Sequence, residues 1–186
     1  MQPFRSVFLG LAMAALLGTV AVAAAPKIET TPVPAAAKPD FSKIAFMTGS
    51  WTCSIMSSRR PGPYTVTSTT TMSPDGYWMV TQSTVHKASW IPNSFKTEDK
   101  MTYDTSTNRW VDITTGDGGA YDVTTSPGWN GNAIVWTDAI YPKTNATATN
   151  NPTTVTKVSD TKTTATNSFI EPGGRLVTVK TTCTKS

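Results

Sequence analysis

The chain has few of the side chains on which most active sites and metal centres depend. Its 186 residues include one histidine, His86, and two cysteines, Cys53 and Cys183. A zinc site needs several His, Cys or carboxylate ligands at short spacing, and a catalytic triad would have to use His86. No P-loop, dinucleotide-binding fingerprint or Gly-x-Ser-x-Gly elbow occurs in the sequence. The sequence therefore predicts a protein without a metal, a cofactor or catalytic activity.

Charge is also scarce. Charged residues make up 15% of the chain, against about 25% in typical globular proteins. The formal net charge is +4, but Arg59 and Arg60 form the only adjacent basic pair. Nucleic-acid-binding domains concentrate basic residues on one face beside stacking aromatic groups, so we expect no nucleic-acid partner. The shortage of Glu, Lys and Arg also argues against coiled coils and helix bundles.

The first 24 residues predict a secretory signal peptide. Arg5 supplies the positive start, residues 7–22 form an uncharged apolar run, and small residues follow. We expect cleavage between Ala24 and Ala25. The alternative is an uncleaved membrane anchor, for which the run is short. The mature protein is then exported to the periplasm or the extracellular space and carries no membrane span.

The folded domain is expected to span residues 40–186, after a Pro/Ala-rich linker at residues 25–39. Asp40 can cap a helix of one or two turns that ends at Gly49. Segments rich in β-branched residues, separated by Gly, Pro, Asn and Asp turns, then predict ten antiparallel strands. Their expected bounds are 50–58, 64–72, 77–87, 96–103, 109–115, 120–125, 133–140, 153–158, 162–170 and 175–185.

Such a series of hairpins leaves exposed strand edges unless the sheet closes. The sequence therefore predicts an all-β fold, an antiparallel up-and-down β-barrel of about ten strands. An open sheet or a sandwich is the alternative.

The two cysteines provide a test of closure. An exported protein folds in an oxidising compartment, which favours a disulfide. Because side chains alternate along a strand, Cys53 shares a face with Trp51, and Cys183 shares one with Val179. In a closed barrel the first and last strands are neighbours, so we predict a Cys53–Cys183 bond on the inner face. The alternative is two separately buried free thiols.

The order of several short motifs resembles a known group of barrels. Residues 46–51 (FMTGSW) are similar to the helix and Gly-x-Trp opening of calycin barrels, with Gly49 and Trp51 at the motif positions. The motifs that follow are Tyr77-Trp78, Tyr103-Asp104 and Trp110-Val111-Asp112. Together they resemble the bacterial domain-of-unknown-function relatives of nitrobindin over residues 40–186. The resemblance implies a ten-stranded, cup-shaped barrel that holds a small apolar molecule.

The resemblance also implies roles for particular residues. In lipocalins the tryptophan at the position of Trp51 packs at the closed end, often beneath an arginine from the region of the final strand. Arg175 is the only arginine of the last predicted strand and stands at its start. Nitrobindins bind haem through a histidine in the C-terminal part of the barrel. This chain has no histidine after His86, so haem binding is not expected, and His86 is interpreted as a partly exposed strand-end residue.

Aromatic residues are the positive signal for a binding site. Trp78, Trp110 and Trp136 fall on separate predicted strands, and we predict that they line a ligand cavity together with Tyr64. The alternative is that these rings fill the core or pack on the outer face. The pattern does not decide which face of the third strand points inward.

Three functions are compatible with these features. The first is an exported barrel that binds a small, mostly apolar ligand without catalysis. The second is a structural or interaction domain of the cell envelope whose barrel is filled by side chains. The third is a hydrolase or isomerase that uses Asp112 or Asp138 in a pocket. Asp117 and Asp122 offer oxygen ligands for calcium but match no full calcium-loop pattern, so we expect a plain hairpin turn there.

Overall fold

A computed structural model describes residues 37–138, 152–171 and 173–186. These residues belong to one compact unit, Ala37–Ser186. The predicted signal peptide and most of the predicted linker lie outside the described residues, and so does the stretch 139–151.

The described residues consist mainly of β-strands, with two short 3-10 helices at Ser42–Met47 and Asp117–Gly119. The strands are β1 (Gly49–Ser57), β2 (Tyr64–Met72), β3 (Met79–Val85), β4 (Phe95–Asp104), β5 (Arg109–Gly116), β6 (Tyr121–Ser126), β7 (Trp129–Asn130), β8 (Ala133–Asp138), β9 (Thr153–Ser159), β10 (Lys162–Ile170) and β11 (Leu176–Lys185). Strands β2 and β10 have the predicted bounds, and most others differ by one or two residues. Strand β3 begins at Met79, so Trp78 precedes it instead of belonging to it.

The strands pair antiparallel in chain order, and the sheet closes on itself. Strand β1 pairs with β11 over seven residue pairs, and among the described residues β6 pairs with β8 through Thr124–Asp138 and Thr125–Thr137. The two-residue β7 pairs with β8, so ten strands form the ring. The predicted closed antiparallel barrel is confirmed, and the open sheet and the sandwich are wrong.

The register decides which side chains point into the barrel. Trp51 lies opposite Ser68 on β2 and Lys185 on β11, and it is only 6% exposed, whereas the next residue, Thr52, is exposed. Side chains alternate between the two faces of a strand. Residues at the positions of Trp51 therefore point into the barrel, and those at the positions of Thr52 point to the outer surface. The outer face of β2 carries a row of hydroxyls from Thr65, Thr67, Thr69 and Thr71. Met79 is 1% exposed, which makes its parity the inward one on β3.

A disulfide joins the first and last strands. Cys53 on β1 and Cys183 on β11 are directly paired in the register and bonded through their sulfur atoms on the inner face. The predicted bond is confirmed, and the alternative of two free thiols is wrong. The bond closes a loop with a sequence separation of 130 residues, so it restricts the unfolded chain strongly.

The 3-10 helix Ser42–Met47 closes one end of the barrel. The N–H of Ser42 donates to Oδ1 of Asp40 at 2.9 Å in an Asx turn just before the helix, whose N-cap residue is Phe41 instead of the predicted Asp40. Ile44 is 1% exposed and Phe41 is 9% exposed, and both pack into the main core cluster. The predicted short helix is therefore present as a 3-10 helix. The end that holds it is the helix end of the barrel, and the far end is the opposite one, where β1 ends and β11 begins.

Loss of the disulfide should destabilise the barrel without changing its fold. The double substitution Cys53→Ala with Cys183→Ala should lower the free energy of unfolding by on the order of 4–5 kcal/mol, because the unfolded chain regains loop entropy. Urea unfolding followed by tryptophan fluorescence measures the change. The reduced native chain should match the double variant, and an unchanged transition midpoint in both would contradict the entropic role of the bond.

The helix should contribute to stability through Ile44. Substitution Ile44→Ala removes a side chain that is 1% exposed and should cost about 2–5 kcal/mol of unfolding free energy. The control is Met56→Ala, because Met56 is 54% exposed and should change the same free energy by less than about 0.5 kcal/mol. Equal effects of the two substitutions would argue against packing of the helix into the barrel.

Candidate functional site

The half of the barrel interior nearest the helix is a packed core. Trp110 is 9% exposed, and its ring centroid lies 5.5 Å from that of Phe41 and 5.5 Å from that of Tyr103, both in edge-on geometry. The other members of this cluster, or residues packed against it, are Ile44, Met47, Met79, Met101, Trp129 and Trp136. Close packing of large apolar rings leaves little room for a ligand at this end.

The four aromatic residues predicted to bind ligand lie in different parts of the fold. Trp110 and Trp136 belong to or pack against the core at the helix end. Tyr64 begins β2 at the far end, where its ring meets Trp90 edge-on at a centroid distance of 5.2 Å. Trp78 precedes β3, and its N–H donates to Oγ of Ser73 in the preceding turn. The structure thus brings together Trp110 and Trp136, and ligand binding by all four residues stays a prediction.

The Gly-x-Trp motif lies at the helix end. The cation beside its tryptophan ring belongs to a lysine and not to the expected arginine. Nε1 of Trp51 donates to the carbonyl oxygen of Met47 at 2.8 Å. Nζ of Lys185 lies 5.6 Å from the centroid of the Trp51 ring and donates to the carbonyl of Phe46 at 3.1 Å. Arg175 is paired instead with Glu171 at the start of β11. A lysine at the end of the last strand therefore occupies the place that the resemblance assigned to an arginine.

Carboxylates line one wall of the lumen. Asp99 on β4 lies opposite Thr114 on β5, and its Oδ1 accepts a hydrogen bond from Oγ1 of Thr114 at 2.6 Å. Asp112 lies one inward position away on β5, opposite Met101. Oδ1 of Asp112 is buried and has no hydrogen-bond partner among the described residues. This wall therefore offers an unsatisfied acceptor inside the barrel.

Burial keeps these carboxyl groups from ionising easily. Loss of hydration, followed by the charges of Asp99 and Asp122, raises the pKa of Asp112 to about 7. Loss of hydration also raises the pKa of Asp99, while its hydrogen bond from Thr114 acts in the opposite direction. Near neutral pH, Asp112 therefore exchanges between a carboxylate that accepts hydrogen bonds and a neutral acid that donates one.

The opposite wall of the lumen, around the disulfide, carries both apolar and polar side chains. Its half-buried apolar residues are Ile55, Val66, Val155, Ala165 and Val179, and Thr163, Asn167 and Thr181 share the inward parity beside them. Nearer the far end, Val177 is again only 1% exposed. The middle of the lumen thus has aliphatic and hydroxyl groups on this wall and carboxylates on the other.

The remaining candidate residues are placed less favourably for chemistry. Nε2 of His86 is hydrogen-bonded to Oγ1 of Thr67 at 2.9 Å, on the outer face of the barrel. Oδ2 of Asp117 accepts the N–H of Lys96 at 2.8 Å, which ties the β5–β6 turn to β4. Within residues 37–138, 152–171 and 173–186, no three His, Cys, Asp or Glu side chains are grouped so that they could hold a metal ion.

The two aspartates of the hydrolase hypothesis share a register row. Asp112 on β5 and Asp138 on β8 are both paired with Thr124 of β6, which separates them by one strand. This places both positions on the inward parity of the sheet. A shared row is a condition for paired-carboxylate chemistry but does not by itself create an acid–base pair.

A groove on the outer surface has a volume of about 780 Å³. Its sides are two rows of outward side chains across β1 to β5, and the inward-parity residues between the rows, such as Ser68 and Ser83, underlie it. The outward residues are Ser50, Thr52, Thr67, Thr69, Gln82, Thr84, Lys96, Glu98 and Thr115. The groove is therefore polar and external, and none of the four predicted aromatic residues lines it.

Sequence reasoning missed three residues that shape the site: Asp99, Lys185 and Trp90. Asp99 stands two residues before Met101, so the period of two could have placed it on the inner face. Its charged neighbours Glu98 and Lys100 concealed that signal, because three charges in a row are typical of a solvent-exposed segment. Trp90 and Lys185 contact their partners across long sequence separations, for which no local pattern exists.

Fold and lumen together define an all-β protein of the closed, ten-stranded antiparallel barrel class. No family model and no curated protein matches the chain. Among solved structures it is similar to a redesigned β-barrel, with 11% sequence identity and a TM-score of 0.41 over 76% of this chain and 92% of that chain. A likeness this weak carries no argument about function. In the part of the chain that the structure describes, no helix is long and apolar enough to cross a membrane.

Removal of the buried carboxyl group should change how stability depends on pH. Since the folded state raises the pKa of Asp112 to about 7, the native protein loses stability as pH rises from the ordinary Asp range through about 7. Asp112→Asn should therefore be more stable than the native chain at about pH 8, by at most about 4 kcal/mol. The difference should vanish at about pH 4, as measured by urea unfolding across this range.

The matched control is Asp104→Asn. Asp104 accepts hydrogen bonds from Ser106 and Thr107 in an exposed turn, and these bonds lower the pKa of its carboxyl group. The sign is then opposite: this variant should be less stable than the native chain at neutral pH and equal to it in acid. A pH-independent difference for Asp112→Asn would show that the carboxyl group is not protonated preferentially in the fold.

Proposed function

We propose that the protein is an exported barrel that holds a small, mostly apolar molecule in the middle of its lumen and does not transform it. The observation that carries this proposal is the contrast between the middle of the barrel interior and its two ends. Inward side chains such as Met79 at the helix end and Val177 at the far end are buried, whereas Val66, Ala165 and Val179 between them are only half-buried. Inward apolar groups that keep solvent exposure are what an unfilled, ligand-accepting cup would present.

The lining suggests the chemistry of the ligand. An apolar body fits against the wall around the Cys53–Cys183 bond, since that wall carries aliphatic side chains. A single polar group on the ligand can reach the wall that carries Asp99 and Asp112. The unpartnered Oδ1 of Asp112 favours a hydrogen-bond donor there, such as a hydroxyl or an amine. Few polar groups in an apolar pocket are the usual means of orienting a ligand.

Binding without catalysis is favoured by the placement of the only histidine. His86 is hydrogen-bonded on the outer face and cannot serve a ligand in the lumen as a general base. The hydrolase or isomerase alternative uses Asp112 or Asp138, and a strand lies between these two positions. Either aspartate would need a second group within hydrogen-bond reach of the reacting atom.

Export is the part of the proposal that rests on the leader sequence. A disulfide between the first and last strands is compatible with an oxidising compartment. The second candidate function, an interaction domain of the cell envelope, is favoured by the polar groove across β1 to β5, which could accept a polar partner on the outer surface.

A ligand screen with a lumen-filling variant tests the proposal. The purified protein is mixed with a panel of lipids and apolar metabolites, and binding is followed by native mass spectrometry and by tryptophan fluorescence. At least one compound should bind with defined stoichiometry. Substitution Ala165→Phe places a ring in the lumen beside Val155 and should weaken that binding by about tenfold or more.

The control is Thr166→Phe, because Thr166 is the next residue on β10 and points to the outer, exposed face. It adds the same ring outside the barrel and should leave binding unchanged. Both variants must keep the native far-ultraviolet spectrum and the disulfide. Equal binding by both variants would place the ligand outside the lumen, and a panel without any binder would favour the interaction-domain alternative.

A further inference from the structure

Two loops at the far end of the barrel form one continuous surface. The N–H of Ser58 donates to the carbonyl oxygen of Thr178 at 2.9 Å, and the N–H of Thr178 donates to Oγ of Ser58 at 3.0 Å. These bonds place the β1–β2 loop against the start of β11. We name the surface that results the basic rim, and its residues are Arg59, Arg60, Trp90, Ile170, Glu171, Arg175 and Leu176.

The basic rim concentrates positive charge. Nη1 of Arg59 contacts Oε1 of Glu171 at 2.5 Å, and Nη2 of Arg175 contacts Oε2 of the same carboxylate at 2.8 Å. The guanidinium of Arg60 lies 4.6 Å from the centroid of the Trp90 ring. Two arginines thus share one carboxylate, and the third stacks on an aromatic ring. The Arg59 and Arg175 side chains remain 45% and 62% exposed, so they can still contact an external anion.

Apolar side chains stand directly beside these charges. Ile170 and Leu176 are paired across β10 and β11, and they are 42% and 59% exposed. Leu176 follows Arg175 in the chain, so the aliphatic pair and the guanidinium belong to the same small area. The basic rim therefore combines two exposed, neighbouring aliphatic side chains with three arginines, a combination that suggests an interaction surface.

We propose that the basic rim docks the barrel, far end first, on an anionic lipid surface. Guanidinium groups bind lipid phosphates in a bidentate manner, and aliphatic side chains beside them enter the boundary between headgroups and acyl chains. The positive charge near the surface is attracted by the potential of anionic lipids. The rim combines exposed guanidinium groups with two exposed aliphatic side chains, which matches the phosphate layer and the acyl boundary of such a surface. The lipid surface is therefore the occupant that fits the rim.

This inference does not depend on ligand binding in the lumen. It would, however, bring the far end of the barrel next to the membrane. The helix end offers a natural contrast: Val158 is 54% exposed there, and its neighbour Asp160 pairs with Lys157. The surface around Val158 thus has an apolar side chain as exposed as those of the basic rim, but without the arginines of the rim.

Vesicle sedimentation tests the proposal. The purified protein is incubated with phosphatidylcholine vesicles and with vesicles that also contain phosphatidylglycerol, at low and at high salt. It should bind the anionic vesicles, and high salt should weaken the binding. Arg60→Gln and Arg175→Gln should each weaken binding by about fivefold, as expected for one basic residue near an anionic surface. Leu176→Ser should weaken it as well, while Val158→Ser should have no effect.

Several outcomes would overturn the proposal. One is equal binding to neutral and anionic vesicles, and another is equal loss for Leu176→Ser and Val158→Ser. Binding of free glycerol phosphate that depends on Arg60 and Arg175, without vesicle binding, would identify a soluble anion site instead. The lumen-filled variant Ala165→Phe should retain vesicle binding, which separates failure of this proposal from failure of the ligand-binding proposal.

Discussion

The pairing of the first strand with the last is the constraint on which the rest of the structure depends. Strands β1 and β11 are aligned over seven residue pairs, and the Cys53–Cys183 bond lies within that alignment. This pairing turns a series of hairpins into a ring without free edges. It also decides the inside of the protein, because one residue of slip would exchange the inner and outer faces of both strands. At the other seam, between β6 and β8, the described residues contribute two pairs.

The interior of the ring is packed unevenly along its axis. Ile44 and Phe41 fill the helix end and bring the aromatic rings around Trp110 into one core. In the middle, inward side chains such as Val66 and Val179 are partly exposed, whereas Val85 and Val177 at the far end are buried again. A carboxyl group in this setting, that of Asp112, holds its proton up to a pH of about 7.

Much of the fold could be predicted from local patterns. Strands β2 and β10 have the predicted bounds because Thr and Val alternate between clear turn residues. The faces of Cys53 and Cys183 followed from the period of two. The candidate site was less predictable: Trp110 and Trp136 pack in the core at the helix end, Tyr64 lies at the far end, and Trp78 precedes its strand. Such groupings depend on strand pairing across the barrel and on the depth of each position along the barrel axis. No local sequence pattern determines either of them.

The sequence by itself determined the all-β class, the approximate strand bounds and the inward direction of the two cysteines, because alternation and turn chemistry act over a few residues. Only the tertiary structure decided which inward residues meet. It placed Lys185 over the ring of Trp51 and joined Asp99 to Thr114. It also brought Arg59 and Arg175 to one carboxylate. These contacts depend on strand register and closure, which are set by the burial of the whole inner face at once and not by any single segment.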